Sequence, residues 1–201
     1  KQRIYFMGIS LVKGQKISLE KGDGSSLTQI YLGAGWDVAK SGGGFFGMFK
    51  GGDDSIDLDA SLILFNENNQ PLDAVWFGQL KSKDGSIWHS GDNRTGAGDG
   101  DDEVIHVDLT KVPPQVKSIV FTISSFRGQT FESVENAFCR VVDATSNTEI
   151  AKYNLSAKGN YTALIVAKVY RHNGAWKMSA LGETSNGKTI QDMIPSILPV
   201  L

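Results

Sequence analysis

Five carboxylates and three glycines fall within the twelve residues from Asp92 to Glu103, and only Arg94 offsets their charge. Carboxylates crowded this closely repel one another and resist the loss of water, so a folded domain either leaves them solvated or neutralises them with a cation. Glycines let a loop turn its oxygens inward around an ion. The candidate ligands in this stretch are Asp92, Asn93, Asp99, Asp101, Asp102 and Glu103.

The residue types in this acidic stretch indicate which cation would bind. Calcium takes six to eight oxygen ligands in flexible geometry, whereas zinc and similar metals prefer the nitrogen and sulfur ligands that are missing here. The EF-hand pattern does not fit, because the sixth position counted from Asp99 is Val104 instead of glycine. A calcium site would therefore need ligands from several loops, and a solvated acidic loop remains the alternative.

Three further aspartates could supply those ligands. Asp57 and Asp59 are two residues apart at the start of an apolar strand, so we expect their side chains to project from the same face and to lie over the end of a sheet. Asp37 follows a Gly-Ala-Gly-Trp turn and is expected to approach the same end. The sequence favours a shared calcium site over solvated acids.

The pattern of the rest of the chain predicts a mainly β fold. Short runs with period-two alternation or β-branched and aromatic content recur, each bounded by Gly, Asn, Asp or Pro. Asp84-Gly85 and Asn173-Gly174 supply the positive φ of tight hairpin turns. About ten strands in two sheets of a β-sandwich are expected, with short helices at 130–136 and at 189–194, the second stopped by Pro195. The predicted strands are residues 16–20, 27–33, 58–65, 74–79, 86–89, 104–109, 118–124, 137–142, 149–154, 161–170 and 175–181.

Composition sets the class of protein. A chain of 201 residues with net charge -2 and a pI near 5.9 is ordinary for a globular domain and argues against nucleic-acid binding. The single cysteine, Cys139, lies in an apolar run and is expected to be a buried hydrophobe. Without a membrane-length apolar segment or a signal peptide, a cytoplasmic location is expected. Residues 1–6 precede Met7 and are expected to be an added remnant or an extension of a single domain at 7–201.

Several motifs resemble the TerD family of tellurite-resistance and stress proteins. They are the stretches 7–11, 33–37, 57–61, 89–96, 98–103, 127–131, 136–138 and 169–177, so the resemblance extends along nearly the whole chain. The resemblance implies a C2-like, calcium-binding β-sandwich that holds one or two ions and is encoded in bacterial operons for resistance to tellurite, phage or other stress. It also implies other proteins of such operons as partners. The chain departs from the family in two places. Its first loop is longer, and its segment 124–126 is short and neutral, without the acidic side chains that could contribute to a second ion site.

The long loop at 40–52 carries an apolar tip. Phe45, Phe46, Met48 and Phe49 stand between glycines and lysines, and would bury apolar area against a membrane surface or a partner protein, with peripheral attachment at the inner membrane as one outcome. Folding back over the sandwich is the alternative.

Catalytic motifs are scarce by comparison. His89 adjoins the acidic loop, but there is no nucleophile elbow, P-loop or dinucleotide fingerprint. The expected function is a calcium-binding, non-enzymatic module of a stress-resistance system, and the alternative is a metal-dependent phosphoester hydrolase.

Overall fold

The computed structural model of the chain describes residues 8–38, 57–91, 100–125, 127–155 and 158–201. Within these residues the chain forms two six-stranded sheets, one α-helix and two short 3-10 turns. The strands are β1 Ile9–Leu11, β2 Lys16–Ser18, β3 Gln29–Val38, β4 Asp59–Phe65, β5 Pro71–Val75, β6 Ile87–His89, β7 Glu103–Asp108, β8 Ser118–Ser124, β9 Val134–Asp143, β10 Thr148–Asn154, β11 Ala163–His172 and β12 Ala175–Ser185. Helix α1 is Ile190–Ile197, and the 3-10 turns are Phe131–Ser133 and Leu198–Val200.

The two sheets divide the strands evenly. The first sheet has the order β1-β10-β9-β3-β7-β6 and the second β2-β12-β11-β8-β4-β5. β1 pairs with β10 in parallel, and the other described pairs are antiparallel. The chain crosses from the first sheet to the second between Leu11 and Lys16, so the N-terminal segment contributes an edge strand to each sheet.

The core lies between the sheets and follows from period-two alternation. Leu32 and Ala34 of β3 and Leu62 and Leu64 of β4 are fully buried in one large apolar cluster. The alternate residues of β4 face outward, where Ile63 and Phe65 form a second cluster beneath Met193 and Ile197 of α1. The β-sandwich prediction is therefore confirmed, with a helix covering part of one outer face.

The strand predictions overlap the observed strands, with two instructive differences. β1 was not predicted, because three residues in a parallel edge pair give too short a pattern to read. β5 is Pro71–Val75 instead of 74–79, since Trp76 and Gln79 exchange backbone hydrogen bonds across a tight turn. The Asn173-Gly174 turn is confirmed, with φ of 50° and 79° at the two residues.

The prediction that Pro195 stops the last helix is wrong. Thr189 caps α1 by accepting a hydrogen bond from the N–H of Asp192, whose carboxylate accepts in return from the N–H of Thr189. The helix then continues through Pro195 to Ile197. Proline removes only one N–H donor, and the burial of Met193 and Ile197 on either side of it holds the helix on the sheet. No helix among the described residues is long and apolar enough to cross a membrane.

Candidate metal centre

The acidic stretches meet at one end of the sandwich because of the directions of their strands. β3 ends at this end, β4 and β7 begin there, and Ala34 of β3 is paired with Glu103 of β7. Six of the predicted ligands lie in this region: Asp37, Asp57, Asp59, Asp101, Asp102 and Glu103. The other three, Asp92, Asn93 and Asp99, lie outside the described residues, as do Phe45, Phe46, Met48 and Phe49.

Asp102 is a partly buried carboxylate with three other acids close by. Its Oδ2 accepts a hydrogen bond of 2.9 Å from the N–H of Trp36, and its own N–H donates to the carbonyl of Ala34 at 2.7 Å. Partial burial, followed by the negative charges of Asp37, Asp101 and Glu103, raises the pKa of Asp102 above its usual value. A cation beside this carboxylate would relieve that repulsion.

Asp37 is the exposed acid of this group. It lies directly after Trp36, whose N–H bonds to Asp102, and its Oδ2 accepts a hydrogen bond of 2.7 Å from the side-chain amide of Asn136. Asn136 adopts a positive φ of 49°, which is unusual for a residue other than glycine. Asp37 and Asp102 therefore share one corner of the sandwich, at the end of β3.

Asp101 makes an ion pair on the outer face of the first sheet. Arg140 of β9 donates two hydrogen bonds to it, from Nε to Oδ1 at 2.7 Å and from Nη2 to Oδ2 at 2.8 Å. The Asp101 side chain is 7% exposed and that of Arg140 28%. Asp101, through its hydrogen bonds, raises the pKa of Arg140, which stays fully charged. Both oxygens of Asp101 are thus committed to a fork-like pair.

Glu103 points the other way, into the space between the sheets. Its Oε2 accepts a hydrogen bond from the N–H of Ala60 at the start of β4, so it links the two sheets. Nε2 of His89 lies 3.4 Å from the same oxygen, and both side chains are fully buried. Nδ1 of His89 accepts a hydrogen bond from the N–H of Gly91, which leaves the proton on Nε2 facing Glu103. His89 is thus buried between the sheets, beside Glu103.

Asp57 and Asp59 lie at the start of β4 in the second sheet. Asp57 is 3.2 Å from Nε of Arg127, which is largely exposed, and its N–H donates to the side chain of Gln129. Asp59 follows the outward alternation of β4 and is 6% exposed. Its side chain lines a cavity beneath the beginning of α1. The alternation of β4 therefore places the Asp59 side chain on the outer face of the second sheet, and its role as a metal ligand stays a prediction.

The described residues at this end of the sandwich are of the types that bind calcium, but they are too few to form a complete calcium site. Among the described residues, no group of three or more His, Cys, Asp or Glu side chains could hold a metal ion. The oxygens of Asp37 and Asp102 are the donors that calcium prefers, and the repulsion around Asp102 is the property that a bound cation would remove. A complete site needs additional ligands from residues 92–99, which follow directly after Gly91.

The family model of the TerD domain matches residues 7–196. The chain belongs to the TerD family. It is 48% identical to the tellurium resistance protein TerZ of Serratia marcescens over 190 residues, which are 94% of this chain and 97% of that protein. It is 44% identical to the stress response protein SCP2 of Bacillus subtilis, across 94% of this chain and 98% of that protein.

A solved structure supports the TerD fold independently of close sequence similarity. The crystal structure of a homologue of the telluride resistance protein TerD from Streptomyces coelicolor matches with a TM-score of 0.66 at 20% identity. The match covers 84% of this chain and 96% of that one. At this identity the likeness concerns the fold alone.

Arg140 was not predicted from the sequence as the ion-pair partner of Asp101 in this TerD domain. Arg140 stands in a run predicted only as a strand, and its alternation with the buried Cys139 and Val141 places it on the outer face. An outward-facing arginine in an otherwise apolar strand indicates that a carboxylate lies nearby for it to neutralise. Its partner could not be named, because the pairing of Arg140 with Gly33 that brings it under Asp101 is a matter of register.

Gly33 leaves the space that Asp101 occupies. A Cβ at this position would overlap the carboxylate of Asp101, and a Cβ at Gly35 would overlap the ring of Phe138 and the carbonyl of Gly100. The Gly-Ala-Gly sequence thus permits close packing in a strand, which agrees with the absence of a complete dinucleotide motif.

We expect Gly33→Ala to destabilise the fold by about 1–3 kcal/mol, the usual range for overpacking, because the methyl group displaces Asp101 from Arg140. Urea denaturation measures the effect. Gly14→Ala is the control for a general effect of replacing glycine, since no atom lies within 4 Å of a Cβ there, although its φ of 83° adds some strain. A Gly33→Ala protein as stable as the wild type would contradict the close packing of Asp101.

Proposed function

We propose that this chain is a calcium-binding, non-enzymatic module of a bacterial stress-resistance system. The observation that carries the proposal is the group of carboxylates at the end of β3, where burial and then the negative charges of Asp37, Asp101 and Glu103 raise the pKa of Asp102. Relatives named for tellurium resistance and for stress response cover nearly the whole chain and support the biological role. The acid-rich loop that begins after Gly91 supports the choice of calcium.

The residues that would hold the ion are Asp37 and Asp102, together with Asp92, Asn93 and Asp99 of the acidic loop. Bound calcium supplies positive charge among oxygens that otherwise repel one another. Asp102 is already oriented, because the N–H of Trp36 fixes one of its oxygens. The carboxylates of Asp101, Glu103 and Asp57 would add negative charge around the ion. Their own ion pairs and hydrogen bonds would hold the surrounding strands in place.

Ion binding would order the loops and so present a surface to partners. Stabilisation follows occupancy, since an ion that binds only the folded chain shifts the folding equilibrium by mass action. Other proteins of the stress system are the proposed partners, and the Phe45, Phe46, Met48 and Phe49 tip is the proposed contact, with a protein or with the inner membrane. The proposed location is the cytoplasm.

The pH dependence of folding tests the raised pKa of Asp102 without any ion. Because the folded pKa of Asp102 is raised, its protonated form is favoured in the folded state. That contribution to stability is present at pH values below its unfolded pKa and is lost as the pH rises through the raised one. Calcium would offset this loss at neutral pH, so its stabilising effect should shrink as the solution is acidified.

Calcium titration with thermal melting is the central experiment. At neutral pH, free calcium at about a hundred times its Kd should raise the Tm by about 5–10 °C, and a chelator should reverse the shift. Asp102→Asn should remove most of the shift, because it removes a negative ligand. The matched control is Glu67→Gln, which removes an exposed acid just beyond β4 at the opposite end of the sandwich.

Two results would overturn the proposal. One is a wild-type Tm that neither calcium nor chelator moves, and the other is an Asp102→Asn protein that keeps the full shift. Turnover of a generic phosphoester with magnesium or manganese would instead favour the hydrolase alternative.

A further inference from the structure

Three lysines lie on the outer face of the second sheet, near its β2 edge. They are Lys16 of β2, Lys177 of β12 and Lys168 of β11, and together they form the lysine patch. Each alternates along its strand with residues that pack in the core between the sheets or against it, such as Ile17 and Met178. The three side chains therefore project from the same face, away from the core.

The register of the strands brings these lysines close together. Ser179 of β12 is paired with Lys16 on one side and with Lys168 on the other. Lys177 lies two residues along β12 and is paired with Tyr170 of β11. Burial, followed by the positive charge of Lys16, lowers the pKa of Lys168. An anion bound at the lysine patch would relieve the repulsion between these like charges.

The positive charge of the lysine patch is not balanced by the described part of the chain. There, no carboxylate lies within ion-pair distance of any of the three lysines. Nζ of Lys168 donates to a neutral group, the carbonyl of Val200, at 2.7 Å. Glu183 of β12 is paired with a different lysine, Lys13, at 3.0 Å. The patch therefore presents net positive charge to its surroundings.

An exposed apolar side chain lies beside the lysine patch. The 3-10 turn Leu198–Val200 is held next to Lys168 by the hydrogen bond to Val200. Val200 and Leu201 pack against the apolar cluster beneath α1, whereas Leu198 is 42% exposed. Lysines beside an exposed leucine are typical of surfaces that lie at a membrane interface, where cations meet the headgroups and apolar groups enter the acyl boundary.

The acidic end of the sandwich lies away from this surface. β11 begins at Ala163, which is paired with Ser124 of β8, and Ser124 is paired in turn with Asp59 at the acidic end. Lys168 and Tyr170 follow in the second half of β11, towards the opposite end. A chain with net charge -2 can approach an anionic surface only if its charges are separated in this way.

We propose that the lysine patch and Leu198 dock this protein on a bilayer that contains anionic phospholipids. The three ammonium groups would contact the phosphates of the headgroups, and Leu198 would enter the acyl boundary. Lysine is a flexible point charge, which suits a fluid array of headgroups better than the fixed carboxylates of a protein partner, for which arginine gives paired hydrogen bonds. This surface needs no calcium and is separate from the apolar tip of the loop at 40–52.

Sedimentation of the full chain with lipid vesicles in chelator tests the proposal. The protein should sediment with phosphatidylcholine vesicles that contain phosphatidylglycerol, much less with pure phosphatidylcholine vesicles, and less again as salt screens the charges. Lys16→Gln combined with Lys177→Gln should weaken partitioning by about twenty-fold, because each lysine near an anionic surface contributes about 1 kcal/mol. The control Lys81→Gln removes an exposed lysine beside β6 of the first sheet and should leave partitioning nearly unchanged.

Three outcomes would overturn the proposal. They are equal sedimentation with the two kinds of vesicle, wild-type partitioning of the Lys16→Gln, Lys177→Gln protein, and binding to polyglutamate in place of vesicles, which would assign the patch to an acidic protein partner. Neither lysine side chain makes a described hydrogen bond, so the double variant should fold, and its Tm checks this. Vesicle binding is measured without calcium and the calcium-induced Tm shift without vesicles, so either proposal can fail without the other.

Discussion

Replacing Glu103 with alanine is expected to lower the free energy of unfolding by about 4 kcal/mol, the largest single-residue effect that we expect in this chain. Glu103 is 1% exposed and accepts the N–H of Ala60, whose residue is fully buried. Alanine would leave that donor without its acceptor, remove the neighbour of His89 and open a cavity between the sheets. Urea denaturation should show a lower midpoint with little change in slope.

Glu103→Gln separates the hydrogen bond from the charge. Its carbonyl oxygen can still accept from Ala60, so we expect it to retain most of the stability that alanine loses. Glu135→Ala is the matched control, because its pair with Lys158 is about half exposed and such pairs contribute roughly 0–1 kcal/mol. Equal losses for Glu103→Ala and Glu135→Ala would show that Glu103 does not link the sheets.

Replacing Arg140 with glutamine should cost about 3 kcal/mol, at the lower end of the range for breaking a buried ion pair, because Arg140 is partly exposed. The change leaves Asp101 nearly buried and without its two strongest donors. Its free carboxylate would also add to the repulsion around Asp102. Chemical denaturation at neutral pH measures the cost.

A double-mutant cycle isolates this pair. Arg140→Gln combined with Asp101→Asn should cost clearly less than the sum of the single changes, because the second change removes the charge that the first leaves unpaired. Arg127→Gln is the control, since Arg127 is 57% exposed in its contact with Asp57 and should contribute under about 1 kcal/mol. Strict additivity of Arg140→Gln and Asp101→Asn would mean that the contact carries no energy.

The sequence correctly predicted features that depend on the local pattern of residues. β8 occupies Ser118–Ser124 as predicted, and Cys139 is fully buried, where burial raises the pKa of its thiol. Alternation alone determines such features, because each residue of a buried strand carries its own signal. The boundaries of β3 and β9 were less accurate, since both continue past their apolar runs towards the acidic end.

What depends on register or on a distant element could not be predicted in the same way. Asp59 and Glu103 were grouped by their charge, yet the pleat of β4 and the facing of β7 send them to different sides of the second sheet. The cavity above Asp59 exists because α1 begins over that row of β4, which no spacing within β4 reveals. The sequence therefore predicted the acidic end of the sandwich, whereas the pleat and register of the strands determine which contacts each acid makes.

The crossing of the N-terminal segment between the sheets has a consequence for how the chain is made. β1 and β2 are the first of the described strands to be synthesised, but their partners β10 and β12 are among the last of them. Contacts between such distant parts of a chain form slowly, because a long loop must close before they form. Both edge pairs therefore form only after β10 and β12 have been synthesised, and until then β1 and β2 of the nascent protein keep unpaired edges that a chaperone could cover.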